Sequence, residues 1–159
     1  MIALQMLSYL ALFTGAVAFI VRGGAVNGLY FYPKPVRERA FAIGLADRAE
    51  TARRRKRFLI WFPLLMLVAL VLIIGVWNGV RDFKTAYLQA LLFLEVMNWY
   101  DGIVIDRLWV GHSKFWVLPG TEDLPFVKTW KEVLIKRTLG SVAYVGIAAA
   151  VALLVVWIF

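Results

Sequence analysis

Four long apolar windows constrain what this chain can fold into. Each is close to the roughly 20 residues that an α-helix needs to cross the hydrocarbon core of a bilayer. The windows are residues 2–21, 58–77, 85–105 and 138–159, and the third is the least apolar. Hydrophobic residues make up 62% of the sequence, well above the roughly 45–50% of a soluble domain. The sequence therefore predicts an all-α membrane protein with four transmembrane helices, forming one integral membrane domain over residues 1–159.

The first window has two features that distinguish it from a cleaved secretory signal. No Lys or Arg precedes Arg22, whereas a signal peptide begins with a basic region. Its apolar run is also longer than the central region of a typical signal. We therefore expect residues 2–21 to be a retained transmembrane span.

The basic residues lie mainly in two of the three connections between the windows. The connection 22–57 holds ten Lys and Arg, the connection 106–137 holds six, and the short turn between the second and third windows holds two, which together make all 18. Positively charged loops stay in the cytosol, so both longer connections are predicted to be cytosolic, with the N- and C-termini outside. The short loops favour the plasma (inner) membrane of a prokaryote.

The net charge of +8 favours membrane lipids over nucleic acid as a partner. The basic run ARRRKR, residues 52–57, directly precedes the second window, where such clusters anchor topology and contact anionic headgroups. Segments 35–57 and 126–137 have the composition of amphipathic helices that lie at the membrane interface. A partner membrane protein or a second copy of the chain is a further candidate partner.

A polar stripe on the third window is the strongest candidate for a functional site. Ionisable groups within a span are costly, so they usually face protein or a water-filled cavity. At about 100° per residue, four polar residues share one helix face, with a fifth at its edge. These residues are Tyr87, Glu95, Asn98 and Asp106, with Asp101 at the edge. Arg107 and the single histidine, His112, are expected just past the helix end.

Several chemistries are compatible with this stripe. A desolvated Glu95 could act as a general acid or carry a proton. The candidate catalytic residues are Glu95, Asp101, Asp106 and His112, and the candidate substrate-binding residues are Tyr87, Asn98, Arg107, Tyr30 and Tyr32. Carboxylates with one imidazole could also bind a divalent cation, although no particular metal or cofactor is indicated. The chain has no cysteine and one histidine, which excludes disulfides, thiolate sites and a multi-histidine zinc site within one chain.

Three functions fit these features. The first is an integral membrane protein that binds or modifies a lipid or other amphipathic substrate at the cytosolic end of the third span. The second is a non-catalytic subunit or assembly factor of a membrane complex, whose polar stripe binds a partner helix. The third is a small proton-linked transporter with Glu95 as the titrating group. Transporters usually show internal repeats and midplane sites, and neither is visible here, so transport ranks last. The aromatic cytosolic connections favour the first function.

Overall fold

The computed structural model describes all 159 residues and contains only helices, turns and loops. Helix α1 spans Ile2–Val21, and a short helix α2 spans Lys34–Ala42. The remaining three are long: α3 is Arg48–Trp77, α4 is Phe83–His112 and α5 is Trp130–Ile158. Helices α1, α3, α4 and α5 are long and apolar enough to cross a membrane. The prediction of an all-helical fold with four candidate spans is therefore confirmed.

Side chains that are remote in sequence close one end of the helix bundle. Gln5 at the start of α1 donates a hydrogen bond to Asn78 in the turn after α3, at 2.5 Å. The guanidinium of Arg81 in the same turn lies 5.2 Å from the ring centroid of Phe159, the last residue. Both termini and the α3–α4 turn therefore lie at the same end of the bundle.

The two longer connections meet at the opposite end, which we call the basic end. The hydroxyl of Tyr32 donates to the carbonyl of Trp116 at 2.7 Å. Arg39 of α2 pairs with Asp123 at 3.3 Å. These contacts join the segment between α1 and α3 to the loop between α4 and α5, although the residues are more than 80 positions apart.

Large apolar side chains on the long helices point outward. Only 36 of the 159 residues are buried. Leu139, Val142 and Leu153 of α5 have exposed fractions of 67%, 70% and 62%. In water such a surface would drive association, whereas in a bilayer it contacts lipid tails. The four helices and their apolar outer surface indicate a multi-pass membrane protein.

Helix α4 changes its hydrogen-bonding pattern where the sequence predicts that it ends. The backbone is π-helical over Asp101–Trp109, and the helix then continues through His112. The expectation that Arg107 and His112 follow the helix end is therefore wrong. A π-helix pairs each residue with the one five positions away and is often found at functional sites. This pairing changes the direction of the side chains after residue 100, which a regular helical projection does not anticipate.

Candidate functional site: a charged cavity at the basic end

Arg137 is the centre of the candidate site. It lies about two turns into α5, and only 5% of the residue is exposed. Its Nη1 atom lies 2.6 Å from a carboxylate oxygen of Asp101, and its Nη2 atom lies 2.7 Å from Oδ2 of Asp106. The Nζ atom of Lys128 lies 2.7 Å from the same Asp106 oxygen. Two of the three carboxylates in the sequence stretch 95–112 are thus paired with one buried guanidinium.

The π-helical segment explains how one arginine reaches both aspartates. Asp101 and Asp106 are five residues apart, and the wider turn of a π-helix brings such residues to nearly the same face. Gly102 lies between them and makes room for the arginine. A Cβ atom at Gly102 would lie 2.8 Å from Nε of Arg137 and 3.0 Å from Val133. The absence of a side chain at this position therefore allows α5 to approach α4 closely.

Glu95 and Asn98 are also bonded to α5. The hydroxyl of Ser141 donates to Glu95 Oε2 at 2.5 Å. The amide of Asn98, which is 3% exposed, donates to Ser141 Oγ at 3.2 Å and to the carbonyl of Arg137 at 2.8 Å. The polar stripe of α4 is therefore hydrogen-bonded to α5 of the same chain.

A cavity of about 420 Å³ lies beside this network. Its size is within the range of roughly 300–1,000 Å³ that is common for small-molecule sites. One end is polar and is formed by Asn98, Asp101, Asp106, Lys128, Lys136 and Arg137. The rest is mainly apolar and aromatic, with contributions from Phe13, Phe31, Phe58, Phe62, Trp116 and Phe126. The cavity is thus amphipathic, with charge at one end and aromatic rings along its walls.

The polar end contains more hydrogen-bond donors than the protein itself uses. Lys136 forms no ion pair, although Lys128 and Arg137 are both paired with carboxylates. With three cationic side chains against two carboxylates, this end is suited to accept an anionic group.

The two candidate tyrosines of the first connection both line the cavity. Burial raises the pKa of Tyr32, so its phenol stays protonated and donates to Trp116. Burial also raises the pKa of Tyr30 to about 12, against the opposing effect of Arg54. Tyr30 is in aromatic contact with Phe58 at a centroid distance of 5.6 Å. The structure therefore brings these two residues to the same cavity as Asp101, Asp106 and Asn98.

Other predicted site residues lie elsewhere. Tyr87 stacks on Phe83 near the start of α4, with ring centroids 6.0 Å apart. Arg107 lies over the ring of Trp130, with its guanidinium carbon 4.8 Å from the centroid. His112 is exposed, and its Nδ1 atom contacts only carbonyls of its own helix, at 3.1 Å. None of these three residues lines the cavity, and Glu95 lies next to the cavity lining without being part of it.

The acidic residues do not converge in the way that a metal site requires. A divalent cation such as Ca²⁺ needs several oxygen ligands directed at one point. No group of three or more His, Asp or Glu side chains is arranged to hold a metal ion. Asp101 and Asp106 instead face Arg137, and Glu95 faces Ser141. The carboxylates of this stretch therefore form ion pairs and hydrogen bonds rather than a preformed cation site.

Several residues of the site are not predicted from the sequence. They are Lys128, Lys136, Arg137, Ser141, Tyr144 and Trp116. In the sequence the basic residues among them are explained by membrane topology alone. A signal was nevertheless present, because Arg137, Ser141 and Tyr144 stand at i, i+4 and i+7 where this helix becomes mainly apolar. This spacing gives α5 a polar face of its own, which matches the stripe on α4.

The arrangement can hold an anionic head at Lys136 and Arg137 while a tail lies against aromatic rings. Both aspartates of this site are ion-paired with Arg137. No protein-family model, curated protein or solved structure matches this chain, so the chemistry of the cavity is inferred from its own residues.

Proposed function

We propose that this multi-pass membrane protein binds an anionic amphipathic molecule, such as a lipid or a lipid-like substrate, in the cavity at its basic end. The observation that carries the proposal is the two-part lining of the cavity. Lys136, which has no ion-pair partner, lies with Arg137 and Lys128 at one end, and aromatic side chains form the walls. An amphiphile with one negative charge satisfies both parts at once.

The proposed setting is the plasma (inner) membrane of a prokaryote, with the basic end in the cytosol. The two connections at that end hold ten and six of the 18 Lys and Arg residues, and positively charged loops remain cytosolic. Both termini then lie outside, and α2 lies among the headgroups at the cytosolic interface. A cavity at this end would open to molecules of the inner leaflet.

The ion pairs of Arg137 have a defined part in this proposal. Asp101 and Asp106 each pair with a different Nη atom, so they fix the plane of the guanidinium beside the cavity. Lys136 remains free to pair with the anionic head. The aspartates thus position the binding groups and are not themselves required to contact the ligand.

The two alternative functions draw less support from this arrangement. A subunit or assembly factor would use the polar stripe of α4 to bind a partner helix, but Asn98 and Glu95 are already bonded to α5. A proton-linked transporter would use Glu95, which lies beside the cavity lining and accepts a hydrogen bond from Ser141. Neither alternative predicts that the charge of Lys136 controls the affinity for an anionic amphiphile, which the following measurement tests.

Replacing Lys136 with Gln should weaken the binding of an anionic amphiphile by roughly ten- to a hundredfold, because a charge-assisted hydrogen bond contributes about 1.5–3 kcal/mol. The probe is cis-parinaric acid, a fluorescent fatty acid, titrated into the detergent-purified protein. Energy transfer from tryptophan, including Trp116 in the cavity wall, reports binding. The methyl ester of the same probe has no charge and should bind the wild-type and Lys136→Gln proteins equally.

Lys131→Gln is the matched control, because Lys131 is exposed on the same helix and does not line the cavity. It should leave the affinity for the acid within about twofold, as expected for a surface substitution. Equal affinities of the wild-type protein for the acid and its methyl ester would contradict the proposal. An equal loss in Lys131→Gln would show that general surface charge, and not the cavity, attracts the acid.

A further inference from the structure

A second concave surface lies between α2 and α3. We call it the basic groove. It is an open groove of about 710 Å³, and its charged lining residues are Lys34, Arg37, Glu38, Arg48, Arg55 and Lys56. Tyr30 lines both the basic groove and the cavity. The groove therefore adjoins the cavity, and Tyr30 is the one lining residue that the two share.

The basic groove carries a large excess of unpaired positive charge. Its one carboxylate, Glu38, is paired with Arg48, and this hydrogen-bonded pair lowers the pKa of Glu38. The other four cationic side chains of the groove have no ion-pair partner. Four cations that repel one another across a concave surface favour an anionic ligand.

One edge of the groove is apolar and faces outward. Leu59 and Ile60 line it and have exposed fractions of 56% and 61%. They lie just after Phe58, which follows the basic run that ends at Arg57 and begins the apolar part of α3. Going along α3, the groove thus changes from cationic to apolar, which is also the order of headgroup and acyl chain in a membrane leaflet.

We propose that the basic groove binds the phosphate of an anionic phospholipid, with the acyl chains lying along Leu59 and Ile60. Arginine is suited to the phosphate because its planar fork donates to two oxygens at once. The proposal needs the membrane setting of the protein but does not depend on the ligand of the cavity. A lipid bound here would pack against Tyr30, and so against one wall of the cavity.

The test is native mass spectrometry of the detergent-purified protein mixed with equal amounts of phosphatidylglycerol and phosphatidylcholine. The wild-type protein should retain phosphatidylglycerol preferentially. Arg55→Gln should reduce the phosphatidylglycerol adduct about fivefold, the change expected when one cation near an anionic lipid, worth about 1 kcal/mol, is removed. The phosphatidylcholine adduct should not change.

Arg53→Gln is the matched control, because it removes the same charge from the same helix outside the groove lining. Arg53 is paired with Glu50 at 3.2 Å. Its effect on the phosphatidylglycerol adduct should be less than about twofold. Lys56→Gln, another exposed groove residue, serves as a second variant if Arg55→Gln fails to give folded protein.

Two outcomes would overturn the proposal. Equal losses in Arg55→Gln and Arg53→Gln would mean that diffuse surface charge attracts the lipid. Displacement of phosphatidylglycerol by millimolar inorganic phosphate would mean that the groove is a site for a soluble phosphate compound, with no contribution from the acyl chains.

Discussion

Replacing Arg137 with Gln is expected to lower the free energy of unfolding by about 3–5 kcal/mol, as found when one partner of a buried ion pair is removed. The guanidinium is almost fully buried and neutralises Asp101 and Asp106 at 2.6 and 2.7 Å. Glutamine leaves Asp101 without its cation, while Asp106 keeps only Lys128. The seven tryptophans allow unfolding in mixed detergent to be followed by fluorescence.

A triple variant separates the loss of charge balance from the loss of packing. Arg137→Gln combined with Asp101→Asn and Asp106→Asn removes the unpaired charges and should recover most of the lost stability. Lys131→Gln, an exposed position on α5, should change stability by no more than about 0.5 kcal/mol. If Arg137→Gln were as stable as the wild type, or if the triple variant were no better than the single one, the ion-pair assignment would be wrong.

Gly102→Ala is expected to cost about 1–3 kcal/mol, the usual penalty for overpacking. The added methyl group would lie 2.8 and 2.9 Å from Nε and Cγ of Arg137 and 3.0 Å from Val133. Arg137 cannot easily move away, since both of its terminal nitrogens are held by aspartates. The variant should also weaken binding of cis-parinaric acid, because Arg137 forms part of the polar end of the cavity.

Gly146→Ala is the matched substitution for this prediction. Gly146 also lies in a long helix, but a Cβ atom there meets nothing within 4 Å. It should be neutral or stabilise the protein by up to about 1 kcal/mol, because alanine is the better helix former. Both variants are compared by thermal unfolding in the same detergent. A result in which Gly102→Ala is as stable as Gly146→Ala would contradict the close contact between α4 and α5.

Glu95 is the strongest candidate from the sequence, but it lies beside the lining of the cavity and not in it. Glu95 stands out in the sequence because an ionisable group within an apolar window is costly. In the structure its carboxylate accepts from Ser141 and does not line the cavity. The half-buried carboxylate thus has a hydrogen-bond partner on α5, while the cavity is lined by positions closer to the basic end.

The sequence by itself determined the four long helices and the position of the polar stripe. These features depend on apolar length and on the spacing of residues along one helix, which are local properties. The candidate residues Asn98, Asp101, Asp106, Tyr30 and Tyr32 all line the cavity, and the roles assigned to them from the sequence stay predictions. Which chemistry they perform was not determined in this way.

Only the tertiary structure decided which groups complete the site. The π-helical segment aligns Asp101 with Asp106, and Gly102 lets Arg137 approach them. Both effects depend on how α4 and α5 are rotated and how closely they pack, which residue spacing along a single helix does not specify. The sequence accounts for Arg137 only as one of the basic residues that set membrane topology. The packing of α5 against α4 places it at the centre of the site. His112, expected beside the carboxylates, is instead exposed at the end of α4.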